Sequence, residues 1–211
     1  MNKEILNKKV IVFDMDGTLY QLDGENNGIR GSRLEKAVLE ESKQFILDRE
    51  GCPASVAEDL VDQGMRDSIG LSNFLANRYG IDRKEYFDAV WSRIRPGGIV
   101  QNFEEAVKIV KRLAESDRQL ILLTSAPSAW QKQVVEFLKI DGCFNQVYTG
   151  EDFGQKDEIF ETLSRRYDVN DILSVGDQER TDIEPAENLG MAVFLVRQPN
   201  DLIIFNKKEN K

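Results

Sequence analysis

Two acidic clusters that stand far apart in the chain contain the residues best suited to chemistry. In the first, Asp14 and Asp16 lie two positions apart in the segment 14–19, DMDGTL, directly after the apolar run Val10 to Phe13. At an extended strand end, side chains at i and i+2 share a face, and neighbouring carboxylates repel each other, which raises the pKa of one. The pair therefore indicates either shared-proton chemistry or a divalent metal ion. Gly17 permits a tight turn that lets backbone amides face an anion.

Three further groups of polar residues follow apolar runs or open a helical pattern. They are a hydroxyl pair, a lone lysine and a second acidic cluster: Thr124 and Ser125, Lys156, and the segment 176–182 with Asp177 and Asp182. Each has an ordinary structural explanation when it is taken alone, such as a helix cap or a solvated charge. In a parallel sheet, however, ligands bind at the carboxyl ends of the strands. Together, the groups therefore predict one site at one edge of a sheet.

The residue types that are missing narrow the chemistry further. The 211 residues include no histidine, which excludes Ser-His-Asp and Cys-His hydrolysis and histidine-ligated zinc. The cysteines, Cys52 and Cys143, form no zinc-binding pattern and are expected to be reduced thiols. If the chain is an enzyme, it must work with carboxylates, lysine, hydroxyls and a metal ion.

Charge and hydropathy limit the partners. The chain has 28 Lys and Arg against 37 Asp and Glu, a net charge of −9, which argues against a nucleic-acid polymer as partner. A small phosphorylated metabolite remains compatible, because a local site can be positive on a negative surface. Apolar runs such as Met191 to Val196 are far shorter than the roughly 20 residues of a membrane span, and residues 1–9 lack a secretory pattern. We expect a cytoplasmic protein without a membrane partner.

Five short apolar runs have the composition of strands buried on both faces, which is typical of parallel sheets. They are Val10 to Phe13, Leu120 to Leu123, Val147 to Tyr148, Ile172 to Val175 and Ala192 to Val196. From residue 102 onward, helical periodicity alternates with these runs, in 102–116, 128–139, 157–167 and a short segment after Asp182. The alternation predicts an α/β fold with a Rossmann-like, doubly wound parallel sheet.

Residues 20–96 differ from the rest, because they show four helical patterns and no convincing strand. They predict an all-helical cap domain, inserted into an α/β core that comprises residues 1–19 and 97–211. The polar stretch Gln21 to Gly31 and the segment Pro96-Gly97-Gly98 would form its flexible ends. The large apolar residues of the insertion, including Leu71, Phe74, Tyr86 and Trp91, are expected to pack within it. The segment 206–211 is expected to be a frayed tail.

Three helical segments open with the spacing of a capping box. In this motif the side chain of the capping residue bonds to the backbone amide three positions later, and the side chain at that later position bonds to the backbone amide of the capping residue. The pairs are Asn102 with Glu105, Ser128 with Gln131, and Asp82 with Glu85. Gly80 and Gly190 are placed to end helices. These signals predict helix boundaries close to each pair.

The order of these motifs resembles the haloacid dehalogenase superfamily of phosphohydrolases. The segment 14–19 is similar to the first motif of that family, Thr124 to the second, Lys156 to the third and the segment 176–182 to the fourth. Asp157 follows the lysine where many members have proline, so only the lysine position carries over. The helical insertion resembles a C1-type cap, and the chain is similar to phosphoglycolate phosphatase and pyrimidine 5′-nucleotidase-like members. The stretches 70–75 and 80–86 resemble the caps of the nucleotidase-type members, and 123–126 resembles their second motif.

The resemblance implies a role for each catalytic residue. Asp14 would be the nucleophile and form an aspartyl-phosphate, while Asp16 would protonate the leaving oxygen and then activate water. Thr124 would hydrogen-bond a phosphoryl oxygen, and Lys156 would neutralise charge on the nucleophile and the phosphoryl group. Gly17 and Ser125 are further candidates for phosphate contacts.

The resemblance also implies a cofactor and a substrate class. Mg²⁺ would be bound by Asp14, Asp177 and the backbone carbonyl of Asp16, with Asp182 as a ligand or as support for one. The expected substrate is a nucleoside 5′-monophosphate or another small metabolite phosphate. The protein is expected to be a monomer or a homodimer.

Several other functions share parts of this pattern. Carbon–halogen hydrolases of the superfamily lack an acid at the position of Asp16, and transport ATPases have threonine there. A phosphomutase fits the first motif equally well, and a phosphate-binding regulatory protein could keep the fold without turnover. A response-regulator receiver also uses acids, a hydroxyl, a lysine and Mg²⁺, but it has no helical insertion after its first strand. Asp16 therefore favours a phosphatase, with the mutase and the regulatory protein as alternatives.

Overall fold

The structure is a computed structural model that describes residues 5–25, 28–67 and 70–206. Its strands are β1 Val10–Phe13, β2 Gln119–Leu123, β3 Gln146–Tyr148, β4 Ile172–Gly176 and β5 Ala192–Leu195. All neighbouring pairs are parallel, and the order in the sheet is β3-β2-β1-β4-β5. Because β1 lies at the centre and the chain winds outward from it in both directions, the structure confirms the predicted doubly wound α/β sheet.

The other main elements of the described chain are α-helices. The insertion after β1 contains α1 Arg33–Glu50, α2 Ala54–Arg66, α3 Leu71–Tyr79 and α4 Arg83–Trp91. The later helices alternate with the strands: α5 Glu104–Ala114, α6 Ser128–Leu138, α7 Lys156–Arg166 and α8 Glu184–Asn188. Within the residues that the structure describes, no helix combines the length and the apolar character that a membrane crossing requires. The predicted frayed tail lies, apart from Asn206, outside the described residues.

Alternate residues of the central strands pack on opposite faces of the sheet. Ile11 and Phe13 join a buried cluster with the apolar faces of α5 and α6, whereas Val10 and Val12 join a second cluster with α7 and α8. Burying an apolar side chain as completely as Phe13, which is 0% exposed, stabilises the fold by roughly 1.5–3 kcal/mol. The two clusters fix the sheet between two helical layers and thereby fix the positions of its strand ends.

The two chain crossings between the sheet and the insertion are joined to each other. The backbone amide of Gln21 donates to the carbonyl of Gln101 at 2.8 Å, and the amide of Gln101 donates back at 3.0 Å. In the predicted flexible stretch 21–31, residues 26 and 27 lie outside the described residues. The division into a core of 1–19 with 97–211 and a cap of 20–96 remains a prediction.

Of the three predicted capping boxes, the structure supports the cap of α4 and contradicts the other two. The Asp82 carboxylate accepts a hydrogen bond from the Glu85 amide at 2.9 Å, as predicted. Asn102 instead has a positive φ of 52° and donates its side-chain amide to Gln21, because it belongs to the paired crossing. Ser128 is the first residue of α6 and bonds to Glu151, so it does not cap that helix. The capping predictions for Asn102 and Ser128 are therefore wrong.

Candidate active site

The carboxyl ends of neighbouring strands bring Asp14, Thr124 and Asp177 to one edge of the sheet, because β1 lies between β2 and β4. The main chain continues to pair as the strands end. The amide of Asp14 donates to the carbonyl of Val175 at 2.9 Å, and the amide of Thr124 donates to that of Tyr148 at 3.0 Å. These hydrogen bonds hold the first residue after β1 and after β2 in a fixed position.

Lys156 connects the two acidic clusters. It is the first residue of α7, is 5% exposed, and its Nζ lies 2.6 Å from Oδ1 of Asp14 and 2.6 Å from Oδ1 of Asp182. Burial alone would lower the pKa of the lysine, but the charges of Asp14 and Asp182 outweigh it and hold the pKa above its usual value. The ammonium is therefore charged and places a buried positive charge between Asp14 and Asp182.

The backbone around Asp182 fixes that carboxylate as well. Its Oδ2 accepts a hydrogen bond from the amide of Gln178 at 3.0 Å, and its own carbonyl accepts one from the hydroxyl of Ser174 at 2.7 Å. Burial and the charge of Asp14 raise the pKa of Asp182 to about 6, although Lys156 opposes this shift. Asp182 is thus held by the main chain at a position where its negative charge and that of Asp14 repel each other.

Asp14, Asp177 and Asp182 form an acidic triad that fits a divalent cation. One carboxylate oxygen from each lies within 4.8 Å of the others, and oxygen donors of this kind suit Mg²⁺. Burial, followed by the charges of Asp14 and Asp182, raises the pKa of Asp177 to about 8. A cation would offset the repulsion that adds to the effect of burial, so the three residues supply suitable ligands and would be stabilised by a bound cation.

Two glycines allow the acidic residues to approach the main chain. Gly17 has a φ of +81°, and a Cβ there would lie 2.4 Å from Oδ2 of Asp177. A Cβ at Gly176 would lie 2.3 Å from the Cβ of Asp182. Any larger residue would displace a carboxylate, so the triad can form only with glycine at both positions.

Asp16 has different partners from Asp14. Its Oδ1 accepts hydrogen bonds from the hydroxyl of Tyr20 and from the indole Nε1 of Trp130 at 3.3 Å. Its Oδ2 lies 3.4 Å from the hydroxyl of Thr124, which donates to it. Burial raises the pKa of Asp16 to about 6; the Tyr20 hydrogen bond opposes this and the charge of Asp14 adds to it. The two carboxylates of the DMDGTL segment are thus held in distinct environments.

The hydroxyl residues differ in accessibility. Thr124 is fully buried and accepts a hydrogen bond from the amide of Ala126 at 3.1 Å. Ser125 is exposed and lines the cavities on both sides of the strand edge. Thr18, which the sequence did not single out, donates to Oδ2 of Asp14 at 3.3 Å. Thr18 therefore helps to orient the candidate nucleophile.

Two cavities open next to these residues. One, of about 380 Å³, is lined by Asp16 and Asp177 from the sheet and by Arg83, Phe87 and Trp91 from α4 of the insertion. The other, of about 660 Å³, lies beside Lys156 and includes Arg180 among its lining residues. Both volumes are within the range of small-molecule sites. The first lies where the insertion faces the candidate acid, Asp16.

A family model of haloacid dehalogenase-like hydrolases matches residues 8–190. The chain belongs to this family. The match spans both acidic clusters, Thr124, Lys156 and the helical insertion, and it confirms the resemblance to the superfamily that the sequence indicated. A comparison with curated protein sequences found no significant match.

Solved structures share the fold of this haloacid dehalogenase-like hydrolase. A phosphatase of the family from Thermococcus onnurineus is 19% identical, with a TM-score of 0.62 over 96% of this chain and 100% of its own. The putative hydrolase YfnB from Bacillus subtilis, a magnesium-bound structure, is 15% identical, with a TM-score of 0.53 over 95% and 100%. A family enzyme from Bacteroides thetaiotaomicron, in complex with magnesium and inorganic phosphate, is 16% identical, with a TM-score of 0.51 over 89% and 93%.

The structure of this hydrolase brings six of the predicted site residues into two contact networks and adds others. Asp14, Asp177, Asp182 and Lys156 form one contact network, and Asp16 and Thr124 form a second one beside it. The sequence analysis did not identify Tyr20 and Trp130, which both bond to Asp16. The sequence offered no signal for either contact, because residues 17–19 form a turn instead of a helix and Trp130 had the pattern of an ordinary helix core residue.

Proposed function

We propose that this chain is a Mg²⁺-dependent phosphatase that hydrolyses small phosphate monoesters through an aspartyl-phosphate on Asp14. The observation that carries the proposal is the contrast between the two carboxylates of the DMDGTL segment. Asp14 is paired with the ammonium of Lys156 at 2.6 Å, whereas Asp16 is buried against Tyr20 and Trp130 with its pKa raised to about 6. One carboxyl group thus faces a buried cation and the other faces two uncharged donors, and such contrasting environments suit a nucleophile and an acid.

In this proposal Asp14 attacks the phosphorus atom. Lys156 offsets the negative charge of its carboxylate, and the Thr18 hydroxyl at 3.3 Å orients Oδ2. Asp16 then protonates the departing ester oxygen and later removes a proton from the water that cleaves the aspartyl-phosphate. Thr124, with Gly17 and Ser125, would contact the phosphoryl oxygens.

Asp14, Asp177 and Asp182 would hold the metal ion, together with the backbone carbonyl of Asp16 as the family resemblance implies. Bound Mg²⁺ would neutralise negative charge on the phosphoryl oxygens and on the carboxylates around them. The magnesium in the YfnB structure, and the magnesium and phosphate in the Bacteroides enzyme, support this choice of ion and ligand.

The leaving group would occupy the 380 Å³ cavity between Asp16 and α4. Phe87, Trp91 and Trp130 give this cavity an apolar, aromatic wall, and Arg83 adds a cation whose guanidinium lies 5.3 Å from the centre of the Phe87 ring. A planar group with a polar edge fits these surroundings, which favours a nucleoside 5′-monophosphate among small metabolite phosphates.

The test is a screen of phosphate monoesters with the purified chain, in which inorganic phosphate release is measured with Mg²⁺ and with EDTA. We expect release from at least one nucleoside monophosphate, its loss in EDTA and its return with added Mg²⁺. Absence of release from every ester in the presence of Mg²⁺, or full activity in EDTA, would contradict the proposal. Transfer of the phosphoryl group to a second hydroxyl of the substrate, instead of to water, would identify a mutase.

A further inference from the structure

Two buried aromatic side chains converge on a single oxygen of Asp16. The Tyr20 hydroxyl donates to Oδ1, and so does the Trp130 indole at 3.3 Å. The same indole lies 3.0 Å from the Tyr20 hydroxyl and donates to it, so the three groups form a closed triangle. Both aromatic side chains are 0% exposed, and within such a site linked hydrogen bonds reinforce one another.

We infer that Tyr20 and Trp130 are positioning residues that occupy Oδ1 of Asp16 and thereby direct Oδ2 to the proton transfer with the ester oxygen. This inference rests on the proposed phosphatase function. With two donors on Oδ1, a proton carried by the carboxyl group must sit on Oδ2. That oxygen has one partner among the described residues, the Thr124 hydroxyl at 3.4 Å, and Asp16 lines the cavity proposed for the leaving group.

In the first step of the reaction, the proton on Oδ2 of Asp16 moves to the leaving ester oxygen. As a bond forms between an Asp14 oxygen and phosphorus, the ester P–O bond breaks, and its electron pair stays on the leaving oxygen. That oxygen takes the proton from Asp16 and departs as an alcohol. In the second step, water attacks phosphorus and gives a proton to Asp16, and the bond to Asp14 breaks to release phosphate. Only the first step depends on the basicity of the leaving oxygen.

The insertion holds the indole of Trp130 from its other side. Trp91 at the end of α4 packs against the Trp130 ring, with the ring centroids 6.3 Å apart, and Gln133 of α6 donates to the Trp91 carbonyl at 2.8 Å. The orientation of Trp130, and through it that of Asp16, therefore depends on a residue of the insertion. A movement of the insertion would therefore change the orientation of Asp16, the proposed proton donor.

The test uses esters whose leaving groups differ in basicity. An aryl ester such as p-nitrophenyl phosphate releases a stable anion and needs little protonation, whereas an alkyl phosphate needs a general acid. The variants are Tyr20→Phe and Trp130→Phe. The control is Tyr86→Phe, because Tyr86 is also buried and its hydroxyl has a similar bond, 2.8 Å from the Ser42 hydroxyl within the insertion. The ratio kcat/KM is measured, since it reports the step in which the leaving group departs.

General acids contribute roughly 10²–10⁴-fold to rate, so we expect misorientation to lower kcat/KM for the alkyl ester at least about 10-fold in each variant. For p-nitrophenyl phosphate we expect a loss at least about 3-fold smaller than for the alkyl ester in the same variant, because the acid contributes little to that departure. Tyr86→Phe should retain the wild-type ratio between the two esters. Equal losses for both esters in Tyr20→Phe and Trp130→Phe, or no loss, would overturn the inference. If instead the wild type releases no phosphate from either ester, it is the proposed function that fails.

Discussion

The ammonium of Lys156 lies 2.6 Å from the carboxylate of Asp14 although the two residues stand 142 positions apart in the chain. The parallel sheet produces this contact, because the end of β1 carries Asp14 and the N-terminus of α7 presents Lys156 to the same edge. Each residue is almost fully buried. Removing a buried charge from water is costly unless an opposite charge compensates it, so the contact places a compensating positive charge beside the candidate nucleophile.

Replacement of this lysine should affect both activity and stability. We expect Lys156→Gln to lower kcat/KM by about 10²–10³-fold, because one charged donor at the reacting group is lost. It should also lower the free energy of unfolding of the metal-free protein by roughly 3–5 kcal/mol, since Asp14 and Asp182 lose their buried cation. Lys132→Gln, at an exposed position of α6, is the matched control and should change neither quantity. Wild-type turnover in Lys156→Gln would contradict the role of this residue.

Gly17 offers a test of how closely the triad is packed. In Gly17→Ala, the new methyl group would lie 2.4 Å from Oδ2 of Asp177, and a displacement of about 1 Å at a reacting site costs about 10²-fold in activity. Gly190→Ala is the control, because Gly190 has nearly the same φ, +82°, and no atom within 4 Å of the new Cβ. It should lose roughly 1–2 kcal/mol of stability from the backbone alone and keep its activity. Equal loss of kcat/KM in the two variants would exclude the proposed clash.

The sequence predicted which residues of the site lie close together, because most of them stand at the ends of strands. Apolar runs located all five strands, and the parallel order then required Asp14, Thr124 and Asp177 to share an edge. The partners of Asp16 could not be derived in that way. Trp130 has the same spacing as the core residues of α6, and only the packing shows that its Nε1 bonds to Asp16.

The helix starts agree with the prediction to within two residues, but two of the three predicted caps are wrong, for a physical reason. The capping pattern identifies a side chain that can accept a hydrogen bond from the backbone. That side chain can instead bond to a residue that is distant in the sequence. Asn102 bonds to Gln21 across the paired crossing, and Ser128 bonds to Glu151. Asp82 has no such competitor among the described residues and caps α4 as predicted.

Metal binding should depend on pH in a direction set by the raised pKa values of Asp177, about 8, and Asp182, about 6. Both exceed the value of about 3.9 for an unfolded chain, so the metal-free folded state binds these protons more tightly. Their contribution to stability is therefore complete below about pH 4 and is lost as the pH rises towards about 8.

Because Mg²⁺ binds the deprotonated carboxylates, we expect it to raise the Tm more at pH 8 than at pH 5.5. Thermal unfolding with and without Mg²⁺ at both pH values measures this difference. Asp177→Asn is the control variant, since it removes one ligand and should lose most of the Mg²⁺-dependent gain at pH 8. A gain that is equal at the two pH values in the wild type would argue against the triad as the metal site.

The insertion should select the leaving group. Arg83 lines the 380 Å³ cavity, packs over Phe87 and forms no ion pair with a described residue. We expect Arg83→Ala to change the order of kcat/KM across nucleotide and sugar phosphates while the Mg²⁺ requirement stays the same. Lys84→Ala is the control, because Lys84 is exposed and pairs with Asp88 on the same helix. If Arg83→Ala lowers kcat/KM for all esters by one common factor, the insertion excludes water without selecting the substrate.

The formation of a phosphoryl bond to Asp14 is the central claim, and mass spectrometry of an Asp16→Asn variant tests it most directly. This variant should still react with p-nitrophenyl phosphate in Mg²⁺, because that leaving group needs little protonation, but it lacks the base that activates water. Peptide mapping after an acid quench should therefore find one phosphoryl group on Asp14. The double variant with Asp14→Asn should carry none, and Asp14→Asn alone should retain less than about a hundredth of wild-type turnover. A phosphoryl group on another residue, or higher turnover in Asp14→Asn with an intact fold, would contradict the account.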